Sequence, residues 1–164
     1  MTSSAHVIEY DGAFEFPVSV AELWATMGRV DCFPSWWGWL HEFSVQGRVL
    51  EHGMILRGVV APPVPYRMRL DVFVDECVPE RRITALVHGD LEGGAQLAFE
   101  GDDVASRAHA TWKLEMMQGP MRLANRIAPH VLRWGHDRVV EATVEGFRRH
   151  LVQVGGPSGD ASGQ

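Results

Sequence analysis

Cysteine is scarce: the 164-residue chain has two, Cys32 and Cys77, and no CxxC pair. Counting alone leaves a disulfide open, but two reduced thiols are the expectation for a cytosolic chain. Positive charge is also short. Fifteen Lys and Arg face 21 Asp and Glu, a net charge of −6. That balance disfavours nucleic-acid binding, which draws on clustered cations to meet phosphates. Arg81-Arg82 and Arg148-Arg149 are basic pairs, but each has carboxylates nearby. No apolar run approaches the ~20 residues that a membrane span needs, so stable membrane insertion is not expected. The opening Met1-Thr2-Ser3-Ser4-Ala5-His6 lacks the basic-then-apolar order of a signal peptide. A cytoplasmic protein is predicted. Eight histidines are present, but none falls into HxH, HExxH or Cys/His ligand spacing. No metal and no cofactor is predicted.

The chain does have an apolar share of 46%, enough to build a core without disulfides or metals. It divides into one predicted domain over 1–154 and a small, polar, disordered tail over 155–164. Phe14-Glu15-Phe16 ends a first strand at Pro17. Ser19 with Glu22 three residues on is a capping box opening a short helix to about Met27. Asp31 is expected to cap a second short helix carrying Phe33, Trp36 and Trp37.

From residue 40 to 116 the period becomes two. Ala108, Ala110, Trp112, Leu114 and Met116 alternate with His109, Thr111, Lys113 and Glu115, as in a strand with one apolar face and one wet face. The same alternation assigns Met54, Leu56, Tyr66, Met68, Leu70, Leu97 and Phe99, with Trp112 and Leu114, to one concave side. Pro62-Pro63-Val64-Pro65 and Gly101-Asp102-Asp103 read as turns, and Gly93-Gly94 as a hairpin turn. From Gly119-Pro120 to about Leu151 the period is helical, and one long helix is predicted. Rotated from Val131 at ~100° per residue, Ala124, Ile127, Trp134, Gly135 and Val139 share its apolar side. A curved antiparallel sheet of about seven strands around that helix, an α+β fold, buries every apolar face at once.

The stretch FPVSVAELWATMGRVDCFPSWWGWL, with Trp134-Gly135-His136-Asp137 in the terminal helix and Gly89-Asp90-Leu91-x-Gly93 in a hairpin, resembles the START-like superfamily (SRPBCC), which includes Bet v 1 and the polyketide cyclase/dehydrase proteins. The likeness runs from about Ile8 to Leu151. It implies a helix-grip fold with a hydrophobic cavity between sheet and terminal helix. Members bind or carry lipids, hormones and polyketides, and some catalyse cyclisation or dehydration, so fold alone does not choose an activity.

The expected ligand is a small hydrophobic molecule, held by the concave strand residues above together with Trp36, Trp37, Val131, Trp134 and Arg138. Three readings of SWWGW stay open: cavity wall, core filler and exposed contact surface. Arg138, near the centre of the presumed apolar stripe, snorkels to solvent, forms a structural ion pair or orients a ligand. An alternative is a polyketide cyclase or dehydratase in which Arg138 and Tyr66 polarise a carbonyl. His88 and His109 fall on wet strand faces. His136-Asp137 are helix neighbours about 100° apart and are not expected to face each other. Oligomeric state is not predicted.

Overall fold

The computed structural model describes residues 6–154, so the expected tail at 155–164 lies outside the described residues. Strand β1 (Val7–Phe16) leads into α1 (Val20–Met27), one turn of 3₁₀ helix at Val30–Cys32, and α2 (Phe33–Trp36). Strands β2 (Leu40–Val45), β3 (Ile55–Val60), β4 (Met68–Val78), β5 (Arg82–Gly89), β6 (Leu91–Gly101) and β7 (Ser106–Met116) follow, then helices α3 (Gly119–Ile127) and α4 (Pro129–Val154). The order across the sheet is β1-β7-β6-β5-β4-β3-β2, with every pairing antiparallel. Strands β2 to β7 are therefore a meander, and β1 returns beside β7. The expected α+β architecture is observed.

The period-two pattern placed these strands because a half-buried strand alternates faces residue by residue. On β7, Ala108, Ala110 and Met116 are buried while Arg107, His109 and Lys113 are exposed. Opposite them, β1 sets Phe14 against Ala108 and Tyr10 against Trp112. At the start of α1, Ser19 Oγ accepts from Glu22 N at 3.1 Å, as the capping signature requires.

Three local expectations are corrected. Asp31 does not cap α2, whose N-cap is Cys32 without a side-chain hydrogen bond; its carboxylate is held by Arg29 at 2.9 and 3.0 Å instead. Gly93-Gly94 are inside β6 and not at a turn. The chain reverses four residues earlier, at Gly89-Asp90, where Asp90 Oδ2 accepts from Arg69 N at 2.7 Å. Gly93, at φ 154°, lies where a Cβ would meet the Lys113 carbonyl of β7; the position needs glycine for that approach. Finally, the terminal helix is two helices. Pro129 lacks an N–H and disfavours helical geometry at the residue before it, and Ala128 has φ −140° and ψ 67°. A single rotation carried through from residue 124 to 151 therefore mixes two helix phases.

The core is built where α1, α2 and the end of α4 meet the sheet. Leu23, Val30, Val74 and Phe147 are its most deeply buried side chains. Phe147 meets Phe16 edge-on (5.5 Å between centroids, 89°) and Trp36 at 5.6 Å. A second cluster of Met68, Val87, Leu91, Met116, Met121 and Leu132 joins the sheet to α3 and the start of α4.

Helix α4 passes so close to α2 that a Cβ on Gly146 would run into the Trp36 carbonyl and touch Trp37 Cδ1 at 3.3 Å. In an ordinary helix interior, Gly→Ala gains about 1 kcal/mol. Here Gly146→Ala is expected to lower stability, because overpacking against backbone costs about 1–3 kcal/mol. A denaturation midpoint above that of the parent protein would contradict this contact.

Candidate functional site: a cavity between the sheet and helix α4

Between the two packed regions of the core, the concave sheet and helices α3 and α4 leave a cavity of about 590 Å³. Its deep end is closed by Phe14, Phe16, Met27, Trp37, Leu97 and Phe147. The sheet supplies Val60, Met68, Leu70, Trp112 and Leu114, and α4 supplies Leu132, His136, Val139, Val140, Thr143 and Val144; Tyr66, expected on a strand, comes from the loop between β3 and β4. Its polar lining includes Glu9, Arg133 and Asp137, all exposed, which with exposed Pro129 mark the mouth.

Of the fourteen residues expected from sequence, seven line this cavity: Trp37, Tyr66, Met68, Leu70, Leu97, Trp112 and Leu114. Met54, Leu56, Phe99 and Trp36 are buried in the core beside it. The first three have the right strand phase but lie farther along the sheet, where α1 and the loops fill the space; Phe99, for example, meets Trp24 edge-on at 5.4 Å.

Val131, Trp134 and Arg138 are on the outside. Val131 is 47% and Trp134 50% exposed. The rotation taken from Val131 was right for Gly135, which is buried, and Val139, which lines the cavity, but its centre was displaced: Leu132, Phe147 and Leu151 are buried, and Val140 and Val144 face the cavity. Arg138 accordingly points away from the cavity. It pairs with Glu141 at 3.1 Å and lies over the Trp134 ring at 6.0 Å, so the ion-pair reading holds and the ligand-orienting one is corrected.

The tryptophan segment is resolved residue by residue. Helix α2 ends at Trp36, and Trp37 is extended (φ −124°, ψ 99°). Adjacent rings thus diverge, Trp36 into the core against His150 and Phe147 and Trp37 into the cavity wall. Trp37 Nε1 donates to the Thr143 carbonyl at 2.9 Å, and its ring stacks on Trp39 (5.4 Å, 13°). Neither Trp36 nor Trp37 is exposed, which excludes them as a surface patch. Trp39 also lines the cavity and was missed.

One polar group on the cavity wall is His136, also missed. Trp112 Nε1 donates to His136 Nε2 at 3.1 Å, and His136 Nδ1 is 3.2 Å from Asp137 Oδ1. An indole N–H can only donate, so Nε2 carries a lone pair in this arrangement and Nδ1 holds the proton that Asp137 accepts. His136 and Asp137 do meet, contrary to expectation: the ring is turned toward β7 by Trp112, and that leaves Nδ1 beside the next side chain. Tyr10 stacks on Trp112 (4.3 Å, 19°) and approaches His136 at 5.6 Å. The signal for His136 was available, since in a helix phased from Leu132 it is the one titratable residue at i+4 on an apolar face. His88 and His109 are exposed as expected, His109 pairing with Asp11 at 2.6 Å.

Both tyrosines of the chain border the cavity. Burial raises the Tyr66 hydroxyl above its ordinary pKa. Tyr10 is raised by burial first and then by the nearby Asp137 and Asp11 carboxylates. Each group favours its neutral form in the fold, so its contribution is present below the unfolded pKa near ~10 and lost as pH rises through the folded value. An absorbance titration of the folded protein should be displaced to higher pH than the curve in denaturant; superimposed curves would contradict the burial of both rings.

Cys32 and Cys77 are free thiols. Burial, and secondarily Glu51, raises Cys77. Among the described residues no cluster of three or more His, Cys, Asp or Glu could hold a metal ion. No helix among the described residues is long and apolar enough to cross a membrane.

No protein-family model matches the sequence, and no curated protein matches it. Solved structures do match in fold. A Thermus thermophilus protein, TTHA0849, superposes with a TM-score of 0.71 at 13% identity, over 90% of this chain and 99% of that one. The Zhui aromatase/cyclase of a Streptomyces species gives 0.71 at 11% identity, over 91% and 96%. Norcoclaurine synthase from Thalictrum flavum gives 0.61 at 10% identity, over 90% and 87%. The chain has the Bet v 1-like, START-like fold. At these identities the likeness is one of fold. In this helix-grip arrangement the sheet wraps around α4, and the cavity described above occupies the interval between them.

Proposed function

We propose that this helix-grip protein binds a small hydrophobic molecule in the cavity between sheet and α4, as a cytosolic carrier or receptor. The observation that carries the reading is the cavity itself: about 590 Å³ that the core side chains leave unfilled, walled mainly by apolar groups. That volume is within the usual range of small-molecule sites, roughly 300–1,000 Å³. Trp37, Trp112 and Tyr10 offer flat apolar surface. Met68, Met116 and Met121 offer walls that adapt to shape. Tyr66, Met68, Leu70, Leu97 and Leu114 complete the proposed contact set. Anilinonaphthalene sulfonate should bind saturably, one per chain, with energy transfer from tryptophan. Absence of saturable binding would overturn the proposal.

A second reading has its own support. His136, Trp112 and Asp137 form a hydrogen-bonded chain on the cavity wall, a histidine with an orienting carboxylate of the kind that moves protons. The matched fold includes an aromatase/cyclase. On this reading the chain acts on a bound aromatic or polyketide substrate, with Tyr66 polarising a carbonyl and His136 serving as the acid–base group when substrate takes the place of the Trp112 N–H at Nε2; Arg138 has no part, being outside. Turnover of an aromatic polyketide that His136→Phe abolishes, with probe affinity retained, would establish it. A copurified, unaltered apolar molecule in native mass spectrometry favours the carrier.

A further inference from the structure

The segment 117–138 presents two different apolar faces. Met121, Asn125, Pro129, Leu132 and His136 line the cavity, at spacings of four, four, three and four. Leu123, Ile127, Val131 and Trp134, at spacings of four, four and three, point outward, and Leu123 and Ile127 are 57% and 76% exposed. A surface helix ordinarily turns large apolar side chains to the core and leaves charge outside. Here the outer face carries apolar groups interleaved with polar and cationic side chains: Arg126, His130 and Arg133 are all exposed. Among the described residues neither Arg126 nor Arg133 has an ion-pair partner, while Arg122 pairs with Glu115 and Arg138 with Glu141. Residues 117–138 hold four arginines and one aspartate, net +3, whereas the rest of the chain holds 11 basic and 20 acidic side chains, net −9. The positive charge is local, and it coincides with the exposed apolar row.

We propose that the outer face of α3 and the first turns of α4 dock on an anionic lipid bilayer. Charge complementarity selects that occupant: this basic segment would be drawn to anionic headgroups while the acidic remainder of the molecule is repelled, which fixes an orientation. The apolar groups match the depth of such a contact. Leucine, isoleucine and tryptophan between arginines is the composition of segments that lie in the headgroup boundary, and no helix here could span it. The same segment forms one wall of the cavity and its mouth, where Pro129, Arg133 and Asp137 are exposed. Docking would therefore set the opening against the phase in which apolar molecules dissolve. That last consequence rests on the carrier reading; the docking itself does not.

The test is co-flotation of the ligand-free full chain with large unilamellar vesicles of phosphatidylcholine alone or mixed with phosphatidylglycerol. Binding is expected only to the mixed vesicles, with a blue shift in tryptophan emission, and it should weaken as salt is raised. Arg126→Glu changes the local charge by two and should reduce partitioning about thirty-fold. Ile127→Ser and Trp134→Ser should each reduce it too, and Trp134→Ser should remove most of the blue shift. All three positions are exposed, so melting temperatures should stay unchanged; Arg126→Gln is the milder control. No binding to the mixed vesicles, equal binding to both compositions, or indifference to Arg126→Glu would overturn the proposal. So would light scattering showing that Ile127→Ser instead abolishes a dimer, since the face would then belong to a second copy. Anilinonaphthalene sulfonate binding measured on the same variants separates the two readings: its absence alongside intact vesicle binding would sink the cavity proposal and leave docking standing.

Discussion

Phe147→Ala should lower the unfolding free energy by about 3–5 kcal/mol, the range for deleting a fully buried aromatic ring. The ring is 1% exposed and is held edge-on between Phe16 of β1 and Trp36 of α2, so it is the point at which the last turns of α4 are fastened to both the sheet and the small helices. A domain of this length loses about 2–4 °C of melting temperature per kcal/mol, which makes the expected drop about 6–20 °C. Phe147 also closes the deep end of the cavity. Its removal joins a void to an existing space, and the surrounding rings have no neighbour that can move in to fill it; the cost therefore belongs at the upper part of the range. Phe147→Leu keeps most of the bulk and should cost below about 1.5 kcal/mol. Both are read from denaturant unfolding. An alanine variant within about 1 kcal/mol of the parent would mean that α4 is fastened elsewhere.

What the sequence made legible follows from which periods are local. Alternation on β4 and β7 identified strand faces correctly because each face depends only on the neighbouring residues. It did not identify depth: Met54, Leu56 and Phe99 share a face with Met68 and Leu97, yet whether a residue meets the cavity or the core depends on what covers that length of sheet. The helical face failed for a different reason. Trp134 and Val131 are large and apolar, and a rotation centred on them assumes that apolar side chains turn inward. Here they do not, and Pro129, which breaks the helix, was passed over. Phasing from Leu132 would have put His136, Val139, Val140, Thr143 and Phe147 inward and left Trp134 as the anomaly. Trp36 and Trp37 could not be separated from sequence, because their divergence depends on where a four-residue helix stops.

That divergence has a measurable consequence, and it answers which tryptophan forms the cavity wall. Trp36→Ala and Trp37→Ala should each cost about 3–5 kcal/mol of stability, since both rings are buried. Trp37→Ala also removes the donor to the Thr143 carbonyl, a bond of about 1 kcal/mol, and frees the stacked face of Trp39. Stability alone would thus rank the two changes as near equals. Affinity for anilinonaphthalene sulfonate should not. Trp37 presents its ring to the cavity, and loss of an aromatic contact worth about 0.5–1.5 kcal/mol weakens binding by up to about tenfold. Trp36 faces Phe147 and His150, so its loss should leave the affinity of the folded protein little changed. The measurement has to be made well below both melting temperatures, so that unfolded chain does not pass for weak binding. Trp37→Phe guards against collapse of the wall, because it keeps most of the apolar bulk while withdrawing the indole N–H. If Trp36→Ala weakens the probe as much as Trp37→Ala does, the two rings act as one packed unit and the probe is reading the stiffness of the core instead of a contact in the cavity.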